Sequence, residues 1–193
     1  MNTHFLKFMK NLFAIIVLTG LMISCSSEKE INPFQINKQN IGLLTDSTKV
    51  KDLDLAFPTD SVLTPSIKGD EFTGQYNDFE IYSSEGKKML ILSPSQSLDS
   101  TAVFESVRII SEQYKTEKNI STLSTFKDIK DAYKISSINN LINSIVISVN
   151  EINASFTIDK KELPANLRFD MTLNIESVQI PDTAKIKYFI IHW

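Results

Sequence analysis

Two stretches of this sequence match each other 76 residues apart: Val50-Lys51-Asp52-Leu53-Asp54-Leu55-Ala56-Phe57 and Phe126-Lys127-Asp128-Ile129-Lys130-Asp131-Ala132-Tyr133. The lysine, the first aspartate and the alanine are identical, and three apolar positions repeat in kind. The same offset places Asp60-Ser61-Val62 on Ser136-Ser137-Ile138. A match at a fixed offset indicates internal duplication. The sequence therefore predicts two structural copies.

Each matched stretch has apolar residues at positions i, i+3 and i+7, which is typical of a short amphipathic helix. Thr48 and Ser124 stand at equivalent positions before these stretches and are N-cap candidates. In the second copy, Thr125 and Asp128 have the spacing of a capping box. Helices of this length are not stable alone, so we expect both to pack against other elements.

Outside the helices, apolar and polar residues alternate with the period of a half-buried strand. The clearest alternation runs from Leu167 to Ile175, which we predict to be a strand. Further strands are predicted as two hairpins and two single segments: Phe72–Tyr82 with Lys87–Ser93, Leu141–Val149 with Ile152–Ile158, Val103–Ser111, and Lys185–Trp193.

These patterns predict a β-rich α+β fold made of tandem duplicated units, each a short helix packed on antiparallel β-sheet. The predicted first repeat covers residues 34–93 and the predicted second repeat covers residues 103–193, with a linker at 94–102 between them.

The amino end has the pattern of a secretion signal. Lys7 and Lys10 precede the apolar run Leu12–Ile23. A helix of this run is about 18 Å long, which is too short for the roughly 30 Å core of a bilayer. The run ends in Leu21-Met22-Ile23-Ser24-Cys25, which resembles the lipobox of bacterial lipoproteins. We therefore predict a signal peptide at residues 1–24 and lipidation of Cys25; the alternative is that Cys25 is a free thiol.

Cys25 is the only cysteine, so an intrachain disulfide is excluded. Several acyl chains on one residue give stable anchoring, so the membrane is a predicted partner. Ser26 is not the aspartate that retains lipoproteins at the inner membrane, which favours the outer membrane. Residues 25–33 are predicted to be a flexible tether. Its charged part, Ser27–Glu30, resembles surface-export tethers of the Bacteroidetes, so the periplasmic side and the cell surface both stay open.

The predicted mature chain is acidic. The full chain has 20 Lys and Arg against 23 Asp and Glu, and residues 1–24 contain two lysines and no acidic residue, so the net charge becomes −5. This balance argues against binding nucleic acid through bulk electrostatics.

The lipobox, the duplicated strand-turn-helix motif, the helix start Ser124–Ile129 and the Trp-bearing terminal strand together resemble the RpoE-regulated lipoprotein family of Gram-negative bacteria. The resemblance implies an envelope location and no established activity. It supplies no catalytic residues.

Residue types that carry chemistry are scarce. His192 is the single histidine after residue 24, so any Ser-His-Asp triad would have to use it, and we interpret it as structural. Four glycines remain for phosphate or calcium loops, and no cofactor or metal site is predicted. Asp52 and Asp54 would point to different faces of a helix. The aromatic residues Tyr76, Phe79 and Tyr82 either pack in the core or line a ligand patch.

Four Asp-Ser/Thr motifs, at Asp46, Asp60, Asp99 and Asp182, resemble an O-glycosylation sequon of Bacteroidetes exported proteins.

Two function classes follow. The first is a non-catalytic envelope lipoprotein that acts as a scaffold or binds a protein or glycan partner. The second is a hydrolase that acts on envelope polymer with paired carboxylates.

Overall fold

The structure is a computed structural model that describes residues 32–58, 61–68 and 76–193. The predicted signal peptide, Cys25 and the tether up to Ile31 lie outside these residues.

The main element is an eight-stranded antiparallel sheet with the order β4-β5-β6-β7-β12-β11-β10-β9. Its strands are β4 (Ser61–Lys68), β5 (Tyr76–Ser83), β6 (Lys88–Pro94), β7 (Phe104–Ile109), β9 (Ser137–Asn140), β10 (Ser144–Val149), β11 (Ala154–Asp159) and β12 (Ile186–His192). The predicted β-rich α+β class with duplicated units is confirmed.

A small second sheet and two short helices complete the fold. The small sheet has the order β3-β2-β1-β8. Its strands are β1 (Gln35–Ile36), β2 (Asn40–Ile41), β3 (Leu44–Thr45) and β8 (Lys115–Thr116). The helices are α1 (Leu53–Ala56) and α2 (Phe126–Ala132), and short 3-10 turns lie at Val50–Asp52, Lys160–Glu162, Ala165–Leu167 and Ser177–Gln179.

Hydrogen bonds around the two helices repeat in detail. Each copy has a hydroxyl that accepts from a backbone amide three residues earlier, and a helix start that donates to the segment before a late strand. The matching pairs are Thr45 N to Thr48 Oγ1 (2.9 Å) and Ser121 N to Ser124 Oγ (3.1 Å), and Val50 N to Ala102 O (2.9 Å) and Phe126 N to Ala184 O (2.9 Å).

The strands repeat as well. The register of β6 with β7 shifts after Ser93 and skips Glu105, and the register of β11 with β12 shifts after Thr157 and skips Lys187. These shifts correspond at offsets of 64 and 82 residues. Strand β7, which the sequence analysis assigned to the second repeat, is thus the counterpart of β12. The two strands pair with each other across a pseudo-twofold axis at Arg108 and Ile190.

The offset of 76 holds only near the helices. The paired registers match Pro65 with Ile138, an offset of 73, so the predicted match of 60–62 with 136–138 is wrong for the sheet. Between β11 and β12 the offset rises from 64 to 82, so the second copy has 18 more residues than the first. Because insertions and deletions accumulate in loops, one offset cannot describe every element.

One hydrophobic core joins both copies. Leu53 of α1 is 2% exposed and Ile129 of α2 is 0% exposed, and both belong to the cluster that the main sheet covers. The inner face of the sheet alternates as a half-buried strand should, with Val107 and Ile109 on β7 and Phe189 and Ile191 on β12 buried.

The helix starts differ from the prediction. Thr125 is the N-cap of α2, and the predicted capping box with Asp128 is confirmed. Thr48 and Ser124 are not N-caps, because their hydroxyls close the turns before the helices. In the first copy Lys49 precedes the helical turn and makes no side-chain cap.

The predicted strand Leu167–Ile175 is wrong. The segment starts with a 3-10 turn and continues without regular structure. Leu167 and Ile175 are buried, but Phe169, Met171 and Leu173 between them are exposed. The alternation was read as one buried face, whereas only its two ends reach the core.

The other predicted strands occur with shorter bounds, as β5 (in its part from Tyr76), β6, β7, β10, β11 and β12. The two edge strands were not predicted. Strand β4 contains Pro65, which an edge strand tolerates, and β9 consists largely of polar residues. The predicted strand residues 72–75 lie outside the described residues.

Candidate functional site

The residues singled out from the sequence do not converge on one place. Cys25 lies outside the described residues. Asp54 is exposed on α1, and Asp52 precedes it half-buried. Phe79 packs edge-on against Phe104 with 5.8 Å between ring centroids, and Tyr82 donates its hydroxyl hydrogen bond to Glu80. Phe79 therefore contributes to the core rather than to a ligand patch.

The outer face of the main sheet holds a serine and histidine pair that the sequence did not reveal. Ser155 Oγ of β11 lies 2.7 Å from His192 Nε2 of β12. The register explains the contact, because Ser155 stands opposite Ile190, two residues before His192 on the same face. Burial of part of the ring lowers the pKa of His192, and the charge of Glu105 opposes that shift.

This pair has one part of a hydrolytic site. The nucleophile and base are within hydrogen-bonding distance, but no hydrogen bond orients the other ring nitrogen of His192 among the described residues. His192 is also exposed on a strand face rather than set in a cleft. We therefore interpret the contact as a cross-strand pair that holds β11 and β12 together.

The largest cleft among the described residues has a volume of 1030 Å³ and lies between the 112–124 segment and helix α2. Its lining mixes charged, polar and apolar side chains, with Lys118, Leu123, Asp128 and Asp131 among them. Lys118 is fixed in place: its ammonium donates to Ala132 O at 2.8 Å and pairs with a carboxylate on the β10–β11 turn at 2.7 Å.

The cleft's helical carboxylates are engaged in structural bonds. Asp128 accepts from the backbone and hydroxyl of Thr125, and these bonds lower the pKa of Asp128. Asp131 pairs with Lys127 along the helix. A general acid needs a raised pKa, so the environment of Asp128 is unsuited to that role.

A second concavity is an apolar groove of 520 Å³ in the first copy. Phe34, Leu43, Phe57, Met89 and Tyr114 contribute to its lining. The rings of Phe34 and Tyr114 meet edge-on at 5.3 Å, and burial raises the pKa of Tyr114 to about 12. The groove can accept an apolar group of a partner, but it offers no cluster of reactive side chains among its described lining.

Within residues 32–58, 61–68 and 76–193, no group of three or more His, Cys, Asp or Glu side chains is placed to hold a metal ion. In the same part of the chain, no helix has the length and apolar character needed to cross a membrane.

No family model and no curated protein matches this chain. Its fold is similar to the crystal structure of the uncharacterized protein yfeY from Escherichia coli, with a TM-score of 0.56 and 13% sequence identity. The match covers 82% of this chain and 99% of that chain. At this identity the similarity establishes a common fold and nothing about activity, so this chain has a yfeY-like fold.

Proposed function

We propose that this chain is a lipid-anchored protein of the bacterial envelope, and that its duplicated sheet is a non-catalytic scaffold or binding module. The anchoring rests on the sequence Leu21-Met22-Ile23-Ser24-Cys25 after a short apolar run. The proposed location is the outer membrane, on its periplasmic side or at the cell surface. The resemblance to the RpoE-regulated lipoproteins agrees with this location.

The observation that favours a binding role is the state of the cleft beside α2. Its lysine and helical aspartates already serve as a cap and as ion pairs, which fixes the shape of the lining. A lining held in this way is suited to recognise a partner. The partner proposed is an envelope protein or glycan.

The carboxylate-dependent hydrolase is the weaker proposal. Such an enzyme needs two carboxylates with separate acid and base roles. The bonds that hold Asp128 favour its ionised form and leave it a poor proton donor.

Anchoring is tested with Cys25→Ser in the full chain, by membrane fractionation and the mass of the amino-terminal peptide. We expect an unprocessed precursor without lipid, because no other residue can form the thioether. Ser27→Ala, two residues further on, is the matched control and should be processed normally. Cleavage after Ser24 with lipid labelling of the Cys25→Ser protein would refute the proposal.

Binding is tested by crosslinking in intact envelopes. Leu123 is exposed in the cleft, so Leu123→Asp should remove a captured partner without unfolding the protein. Leu98→Asp is the control, since Leu98 is equally exposed in character but lies outside the cleft lining. Equal capture by both variants would exclude the cleft as the binding surface.

A further inference from the structure

The 18-residue insertion of the second copy exposes apolar side chains that the first copy lacks. Phe169 is 88% exposed, and Met171 and Leu173 are also exposed. The turn between β9 and β10 adds Leu141 and Ile142, the latter 70% exposed. Contiguous apolar surface of this kind marks a site of contact with a protein or a membrane. We call these five residues the insertion patch.

Hydrogen bonds hold the two parts of the insertion patch together. The side-chain amide of Asn140, at the end of β9, donates to the carbonyls of Asp170 and Leu173, each at 3.0 Å. The next residue along the chain is Leu141 itself. The insertion and the β9–β10 turn therefore form one surface rather than two separate loops.

The seat of the insertion is not fully bonded. Lys160, where the insertion begins, is 4% exposed, and its ammonium makes no hydrogen bond to a described residue. Asn140 Oδ1 is also buried without such a bond. Buried polar groups in this state lower the local stability, and weakly held segments are those that rearrange on binding. The insertion can therefore adjust when the patch is covered.

The occupant is indicated by where the described chain begins. Seven residues separate Cys25 from Asn32, which span at most about 25 Å when fully extended. A domain of this size has a radius of gyration of roughly 15 Å. On a lipid-anchored chain, which is the function proposed above, the patch therefore stays within reach of the bilayer at a high effective concentration.

The charges around the patch define which bilayer property is recognised. Asp170 carries a carboxylate whose pKa is lowered by hydrogen bonds from Thr172, so it stays ionised beside Phe169 and Met171. The predicted mature chain is also acidic overall. Attraction to anionic headgroups is therefore excluded as the driving force, and the apolar side chains must supply it.

We propose that the insertion patch docks onto the zwitterionic phospholipid surface of the membrane that holds the anchor, with Phe169 and Met171 entering the headgroup and acyl boundary. Docking of this type depends on apolar area, so it is insensitive to salt. It fixes the orientation of the sheet on the membrane, which the tether alone does not.

The test uses the full chain in vesicles of phosphatidylethanolamine and phosphatidylcholine that contain brominated acyl chains. Phe169→Trp places a fluorescent side chain in the patch, and its emission is expected to be quenched. Leu98→Trp is the matched control, because Leu98 is 61% exposed in the β6–β7 loop, the counterpart of the insertion in the first copy. Its emission should be unchanged, and Trp193 gives the same background in both proteins.

Equal quenching at both positions, or none at Phe169→Trp, would overturn the proposal, and capture of an envelope protein by the patch would then replace the bilayer as occupant. Loss of quenching in high salt would equally contradict an apolar contact. The mass of the amino-terminal peptide, measured on the same samples, reports lipidation separately. A protein without lipid refutes the anchor, while quenching on the vesicles still decides whether the patch binds lipid.

Discussion

Helices α1 and α2 bury the same positions, but only α2 has side chains that close its first turn. Thr125 and Asp128 cap α2, which spans seven residues. The first copy has Lys49 at the corresponding place, no side-chain cap, and a four-residue helix after a 3-10 turn. Both helices nevertheless form, which shows that packing against the sheet determines them and that local capping adds to it.

The largest expected effect comes from removing that packing in either copy. Leu53→Asp and Ile129→Asp each lose about 1.5 to 3 kcal/mol of burial and force a charge into the core at a cost of several kcal/mol more. Because whole-domain stability is about 5 to 15 kcal/mol, we expect both variants to be close to unfolded in a urea melt.

Lys51→Asp and Lys127→Asp are the controls, since both lysines are exposed. Each should change the free energy of unfolding by less than about 1 kcal/mol, including the surface ion pair of Lys127. If Leu53→Asp were harmless while Ile129→Asp unfolded the protein, the two helices would not be structural equivalents.

The next effect concerns the insertion, which only the second copy has. Lys160→Met keeps the alkyl chain and removes the buried ammonium that lacks a hydrogen bond to a described residue. We expect the variant to be more stable by about 1 to 3 kcal/mol in chemical denaturation. Lys161→Met, at the exposed neighbouring position, should leave stability unchanged. Destabilisation by Lys160→Met would mean that the ammonium has a partner.

A smaller effect tests the capping difference between the copies. Thr125→Ala removes the hydroxyl that accepts from Asp128 N and should cost about 0.5 to 2 kcal/mol. Lys49→Ala at the uncapped helix start of the first copy should have almost no effect on the melting temperature. Similar losses from the two variants would contradict the assignment of one capped and one uncapped helix.

The smallest effect is a pH dependence that belongs to the second copy alone. The pKa of His192 is lowered from 6.5, so the unfolded chain binds more protons than the fold between the lowered pKa and 6.5. The contribution of His192 is therefore fully present above pH 6.5 and decreases as the pH falls through that window. Thermal melts of the protein should show this loss, and His192→Gln should not.

At the offsets of the neighbouring strands, the first copy has Ile91 and Ile110 where the second has Ser155 and His192. An Ile pair at that place shows that the sheet does not require the polar contact. The double variant Ser155→Ile with His192→Ile should therefore fold and lose the same pH dependence. A collapse of stability would show that the pair has a role that the first copy does not share.

Much of the fold could be predicted from the sequence, because the helix stripes, the capping box and most strands are local patterns. The segment 167–175 shows the limit: its alternation is as regular as that of a true strand, but no neighbouring strand accepts it. Whether a partner edge exists depends on the whole topology. Strands β4 and β9 were missed for the opposite reason, since edge position permits proline and polar residues that weaken the local signal.

The candidate sites depended even more on tertiary structure. No local signal connects Ser155 with His192, which lies 37 residues later and meets it only through the β11–β12 register. The buried ammonium of Lys160 was equally hidden, because lysine is ordinarily exposed and nothing in the neighbouring sequence marks this one.

The pairing of β7 with β12 joins a strand to its own counterpart, so each half of the chain presents the same edge to the other. That is the geometry of an isologous contact between two identical subunits. A chain that ended after β7 would leave this edge without a partner, and free edges recruit other strands. Because residues 110–114 continue into the second half, the contact is intramolecular. The pairing that two separate halves would make only at sufficient concentration is made by this protein at any dilution.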